Sequence, residues 1–291
     1  MKAFALMAVL VVTTGLRGFS QISLEIQLDQ KQFLCNESIP IRVRLLNRTG
    51  QPLRVGEVPD WLSFTVESRD GKLVQPSATI VAGGNFELDS AESVTKLIDL
   101  TAGYDFTQPG SFRVTALARF PRLNLTASSS TQPFDIVRGT QLWQEICGAP
   151  TTNAAPRLIS YSLLQVNHLR QLRCYVRIAD SPETGWARVL PLGNIVAFAK
   201  PEQRIDRSST LHVLFQTGPR AFDYCQISPA GEMLQKQVYN FTSQRPRLSV
   251  DEDGKVGVKG GTLPTVFTGR STNEPSPTLA TNLPPGSRKE K

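Results

Sequence analysis

The chain has 291 residues, 40% of them hydrophobic and 20% charged, with 20 Pro and 21 Gly. That composition can fill a core, which excludes a wholly disordered or collagen-like chain, and the Pro and Gly favour short strands and turns over long helices. The net charge of +7 is uneven: residues 21–140 hold 12 Lys/Arg against 13 Asp/Glu, and residues 141–291 hold 18 against 12. A basic second half can favour anionic partners such as phospholipid, wall polymer or nucleic acid, but with no dense Lys/Arg run it reads rather as solubility and scatter, and no nucleic-acid partner is expected.

Residues 1–20 read as a signal peptide. Lys2 supplies the positive start, and residues 3–12 are apolar but too short to span a bilayer. No later stretch is apolar enough to span one, so the mature chain is expected to be secreted or periplasmic, without a transmembrane segment. Cys35, Cys147, Cys174 and Cys225 form no CxxC pair, which disfavours a zinc or thioredoxin-like site. Export permits disulfides, and four cysteines allow three pairings. The expectation is that the thiols are mostly unpaired and buried.

Residues 21–139 alternate with period 2. Ile22, Leu24, Ile26 and Leu28 oppose Ser23, Glu25, Gln27 and Asp29, and the same holds around Ile41–Leu45, Leu62–Val66, Phe112–Ala118 and Phe134–Ile136. One apolar and one polar face per strand is the pattern of antiparallel sheets that must stack to hide their apolar sides. The turn signals are Asn47-Arg48-Thr49-Gly50, Asp70-Gly71, Gly83-Gly84 and Pro109-Gly110. The N-x-[ST] matches at Asn36, Asn47, Asn124 and Asn240 read as turn and strand-end chemistry rather than glycosylation sites. The predicted architecture is all-β, beginning with an immunoglobulin-like β-sandwich.

Three pieces, FLCNESIPIRVRLLNRTGQPL, DWLSFTVESRDGK and LTAGYDFTQPGSFRVTALARF, resemble the immunoglobulin-like domains of exported bacterial proteins. Those domains run strand, N-x-[ST]-G turn, strand, and later PG-[ST]-[YF]-x-V. Phe112 stands here where many of them have the tyrosine of a hydrogen-bonded corner. The resemblance implies a fold and no activity, since sandwiches host unrelated functions.

Residues 140–156 read as a linker with a short helix over 141–146, from which Trp143 packs between domains. Residues 157–261 read as a second β domain of two blade-like meanders. Within it, residues 210–239 read as three strands turning at Gly218-Pro219 and at Ser228-Pro229-Ala230-Gly231. SLLQVNHLRQLRCYVRI (162–178) can be laid on HVLFQTGPRAFDYCQI (212–227), equating Gln165 with Gln216, Arg170 with Arg220 and Leu172 with Phe222. That alignment puts Cys174 opposite Tyr224 and Tyr175 opposite Cys225, hence the two cysteines on opposite faces. Two copies cannot close a propeller, so a compact two-sheet domain is expected. A further hairpin is predicted over 247–258, turning at Asp253-Gly254. The stretches LHVLFQTGPRAFDYCQISPAGEMLQKQVY and RPRLSVDEDGKVGVKGG are similar to exported bacterial proteins with this two-domain plan, a similarity that implies no activity. Residues 262–291 are predicted disordered.

His168 and His212 are the only histidines, so any Ser-His-Asp triad would need one of them. No nucleophile elbow, HExxH, P-loop or dinucleotide fingerprint is present. Asp251-Glu252-Asp253-Gly254 lacks EF-hand spacing and reads as an acidic turn. No catalytic, cofactor or metal residue is assigned. The binding candidates are Arg220, Arg245 and Arg247 with Tyr224, and Trp186. These readings converge on a non-enzymatic exported binding or scaffold protein whose partner is a protein or an envelope polymer. The alternatives are an envelope hydrolase or protease inhibitor, and a glycan-binding module using Trp61 and Trp186.

Overall fold

The computed structural model describes residues 21–149, 157–168, 171–181 and 185–263. The predicted signal peptide, residues 150–156 of the predicted linker and nearly all of the predicted tail lie outside them. Among the described residues the chain is all-β, with two 3-10 turns and no α-helix. No described helix is long and apolar enough to cross a membrane.

The first ten strands are β1 (Ile22–Leu28), β2 (Gln32–Leu34), β3 (Pro40–Asn47), β4 (Leu53–Val55), β5 (Leu62–Ser68), β6 (Phe86–Leu88), β7 (Ser93–Asp99), β8 (Gly110–Phe120), β9 (Leu125–Ser128) and β10 (Gln132–Val137). One sheet runs β1-β3-β7 and another β2-β10-β8-β5, with β9 beside β8. All pairings are antiparallel except β2 with β10. The alternating residues Ile22, Leu24, Ile26, Ile41, Val43 and Leu45 meet Phe64, Val66, Val114, Ala116, Phe134 and Ile136 in one core. Each Val, Leu, Ile or Phe side chain among them stabilises by about 1.5–3 kcal/mol when fully buried, so the period-2 pattern sets the faces. Phe112 stacks on Phe134 with centroids 5.7 Å apart. The hydroxyl that bonds back to the sheet belongs to Tyr104, which donates to the Phe64 carbonyl.

The second set is β11 (Thr140–Ala149), β12 (Arg157–His168), β13 (Gln171–Asp180), β14 (Ala187–Ile195), β15 (Glu202–Ile205), β16 (Leu211–Gln216), β17 (Ala221–Ile227), β18 (Met233–Asn240), β19 (Arg247–Val250) and β20 (Val256–Lys259). It contains two four-stranded antiparallel meanders, β11-β12-β13-β14 and β15-β16-β17-β18. They share one core through Tyr161, Leu163, Cys174, Val176, Leu192, Val213, Phe215 and Cys225. The β19-β20 hairpin covers the outer face of the second meander, packing Leu248 and Val256 on Leu214, Phe222 and Tyr224.

Two expectations are corrected. The helix predicted over 141–146 is β11, paired along its length with β12. Leu142, Trp143 and Ile146 mimic a helical face in sequence, but a register shift between Gln141 and Trp143 turns Trp143 inward. Trp143, Cys147 and Ala149 then reach the core with period 2. The second correction concerns the cysteines, because Cys174 and Cys225 both face the shared core while Tyr175 and Tyr224 point outward. Aligning the copies by sequence is therefore one residue out of step with the observed strands, and a one-residue slip exchanges the faces. All four cysteines are free. Burial, joined for Cys174 by the neighbouring Cys225, pushes both core thiols up to about 12.

Candidate functional site

The two sets of strands meet at a built junction. Leu34 and Val137 pack on Tyr175, Val189, Leu164 and Val166, so the first unit sits on the outer face of the first meander. Between β2 and β3 the chain turns at Asn36, whose φ of 66° is left-handed and tolerable for Asn because its short amide bonds locally. The Asn36 carbonyl accepts from Val189 N at 3.3 Å, and Glu37 bridges to Val189 in parallel. Arg173 donates to Gln30 Oε1 at 2.6 Å, and Gln30 Nε2 donates to Glu37 Oε1 at 3.0 Å. Leu34 N donates to the other Glu37 oxygen at 2.7 Å. His168, the last residue of β12, lies 3.2 Å from Gln32 Oε1 through Nδ1. Burial and then the Arg173 charge lower its pKa.

Beside this junction lies a cleft of about 1020 Å³, which is the scale of a ligand or peptide site. Phe33, Tyr104, Val189, Leu190 and Pro191 form its apolar part; Asp29, Asn36, Ser77, Thr107 and Arg188 are among its polar groups. Two carboxylates on it are committed to the backbone. Asp99 accepts from Ser38 Oγ, Ile39 N, and both Thr101 N and Thr101 Oγ1. Burial alone would raise its pKa, but those hydrogen bonds outweigh burial and hold it below the usual carboxylate range. Glu37 shifts the other way, because burial outweighs its two hydrogen bonds and the Arg173 charge.

The linkage signs are therefore opposite. Asp99 is depressed on folding, so its contribution is complete above the ordinary carboxylate value and is lost as pH falls through the lower folded value. Glu37 is raised, so stability is greatest below the ordinary value and is lost as pH climbs through the higher folded one. Glu37→Gln is expected to flatten the loss above the ordinary carboxylate range and leave the acid limb intact. Urea midpoints measured across pH check this, and an unchanged upper limb would show that Glu37 does not produce it.

His212 gathers an acid and a hydroxyl. Its Nδ1 lies 2.8 Å from Tyr224 Oη and its Nε2 lies 3.2 Å from Asp206 Oδ2. Asp206 Oδ1 also accepts from Ser208 N and Thr210 N, and Gln226 Nε2 donates to Tyr224 Oη. His212 is 4% exposed and Tyr224 3%, and neither lines the cleft. Burial raises the Tyr224 hydroxyl further from ionisation. The trio pins the turn at 206–210 to the sheet, a structural use of the groups a hydrolase would expose.

The binding candidates separate. Arg220, Arg245 and Arg247 are exposed at one end of the second meander. Arg220 lies over the Phe241 ring at 6.0 Å and Arg245 over Phe222 at 5.2 Å. Tyr224 is buried beneath them, a correction to its reading as a contact residue, because hairpin β19-β20 covers it. Trp186 stands apart, bonded through its carbonyl to Asp180 N and lying under Arg157 at 4.4 Å. Trp61 cannot offer a sugar platform, being 2% exposed in the first core. The predicted acidic turn holds itself: Lys255 N donates to Asp251 Oδ1 at 2.7 Å, and among the described residues no His/Cys/Asp/Glu group is arranged for a metal. The cleft escaped sequence reading, because its walls come from positions some 150 residues apart in the chain.

Fold and site together define a two-unit all-β protein with a cleft at the junction of its units. No protein-family model matches the chain, and neither does any curated protein. Among the solved structures that match is the sporulation control protein Spo0M from Bacillus subtilis, at 8% identity, a TM-score of 0.30, and coverage of 60% of this chain and 90% of that one.

Proposed function

We propose that this is an exported, non-enzymatic binding or scaffold protein of the cell envelope. In this reading an immunoglobulin-like module and a duplicated-meander module together hold a protein or envelope-polymer partner. The observation that carries it is the contrast between site and reactive groups. The large cleft is walled by both units, whereas His212, Cys174 and Cys225 are buried. The two facing sheets of residues 22–137 support an immunoglobulin-like module. The two four-stranded meanders support a duplication. The residue-1–20 pattern supports export.

A cleft that binds needs open walls. Thr107 is exposed on its rim and gives no side-chain hydrogen bond among the described residues. Thr107→Trp is expected to abolish retention of the partner from envelope extract without changing the unfolding midpoint. Retention unaffected by Thr107→Trp would remove the cleft from the account. Turnover in a broad hydrolase screen that disappears in His212→Gln, with folding intact, would overturn the non-enzymatic reading.

A further inference from the structure

We propose that the end of the second unit carrying Phe198 docks on an anionic lipid bilayer. Phe198 is fully exposed, at 104% of its reference area, and its φ is 66°. A bulky residue in the left-handed region is strained, and such strain is retained where the surroundings enforce it. The surroundings here are specific. Ala199 N donates to Val196 O at 3.2 Å, closing the turn, and Val196 N donates to Gln216 O at 2.9 Å, tying the turn to the end of β16. The ring is thus held out by a hydrogen-bonded turn, and it stacks on no other ring among the described residues.

Bases surround it. Lys200 follows two residues later and is exposed. Arg220 tips the adjoining β16–β17 turn, and its carbonyl accepts from Phe241 N at 2.7 Å. That bond brings in the 241–246 loop with Arg245, which Gly261 N closes on Gln244 O. Arg247 and Lys259 pair across the adjacent hairpin. Among the described residues none of these five bases is in an ion pair. The acids nearby are occupied: Glu202 accepts from Leu248 N, and Asp223 pairs with Lys236 at 3.4 Å. Phe241 and Phe222 stack beneath Arg220 and Arg245, which keeps both guanidinium groups at the surface.

An exposed apolar side chain at an end that also carries several unpaired bases matches an anionic membrane surface. The bases meet the phosphate layer, and the phenyl ring enters the acyl boundary. A soluble polyanion would use the same bases but leaves Phe198 in water. The inference is independent of the cleft and of any partner held there.

The test is co-sedimentation of the full chain with vesicles of phosphatidylglycerol and phosphatidylcholine, and with phosphatidylcholine alone. Residues 3–12 are themselves apolar, so the comparison is between variants of one chain. Phe198→Ala is expected to lower partition onto anionic vesicles about tenfold. Arg220→Glu with Arg245→Glu is expected to lower it by at least about tenfold. Phe198→Trp should retain binding and shift its added fluorescence to the blue on vesicles. Unchanged unfolding midpoints confirm intact folding, which the exposure of these positions favours. The proposal fails if Phe198→Ala partitions as wild type does, or if vesicles leave the emission of the Phe198→Trp variant unmoved. It fails also if dextran sulfate competes fully while phosphatidylglycerol content has no effect, which would assign the end to a soluble anionic polymer.

Discussion

Replacing Asn47 by Ala is expected to destabilise the first unit by about 3 kcal/mol, and replacing it by Asp to destabilise it more. Asn47 is 0% exposed and ends β3. Its Nδ2 donates to the carbonyls of Gln51, Leu88 and Asp89 at 2.7, 2.9 and 3.1 Å. Its Oδ1 accepts from Thr49 N and Thr49 Oγ1 at 2.9 and 2.8 Å. One side chain therefore joins the turn after β3 to the end of β6, about forty residues away. Alanine removes all of these bonds and leaves the buried Leu88 carbonyl short of its side-chain donor, and each unsatisfied buried group costs about 1–3 kcal/mol. Aspartate keeps the acceptor but aims a second oxygen, and a charge, at the same three carbonyls. Urea unfolding followed through buried Trp61 measures the effect. A loss below about 1 kcal/mol for Asn47→Ala would mean that the clamp contributes little.

Tyr161→Ala is expected to cost the second unit about 3–5 kcal/mol, the range for emptying a large buried aromatic site. Tyr161 is fully buried on β12 between the two meanders. Its hydroxyl donates to Ser209 O at 2.8 Å, and burial raises its pKa well beyond the usual phenol value. Ser209 itself sits at φ 61° and donates from Oγ to Gly148 O at 2.6 Å. The ring thus fills the core, and its oxygen fixes the strained turn that also holds His212. Tyr161→Phe keeps the packing and loses only the bond, for about 1–2 kcal/mol. The two cores are separate clusters, so Tyr161→Ala should split the urea transition. Trp143 and Trp186 would respond first and Trp61 later. A single coincident transition for all three would show that the junction couples the units more strongly than the second core does.

Local period carried much of the fold. Strands β1, β3, β5, β8 and β10 stand where alternation placed them, because a half-buried strand must show every second side chain to the core. The three strands and two turns of 210–239 were legible from Gly/Pro punctuation. β7 was not, since Lys96 takes a half-buried inward position and Leu97 an exposed outward one, the reverse of what alternation leads one to expect. β11 was misread because its inward face begins at a bulge, and a bulge exists only once a partner strand is present. Of the candidate site, the three arginines at one end could be named from sequence. The depth of Tyr224 could not, because it depends on a hairpin that returns some 25 residues later to cover it.

Unaided, the amino-acid order determined the class of structure, the positions of most strands and the basic bias of the second half. Those properties follow from side-chain chemistry within a few residues. Tertiary structure alone decided that Cys174 and Cys225 share a core, that His212 is locked against Tyr224 and Asp206, and that a cleft opens between the units. Each depends on strands from distant parts of the chain meeting in one register, and a slip of that register by one residue exchanges which face is buried.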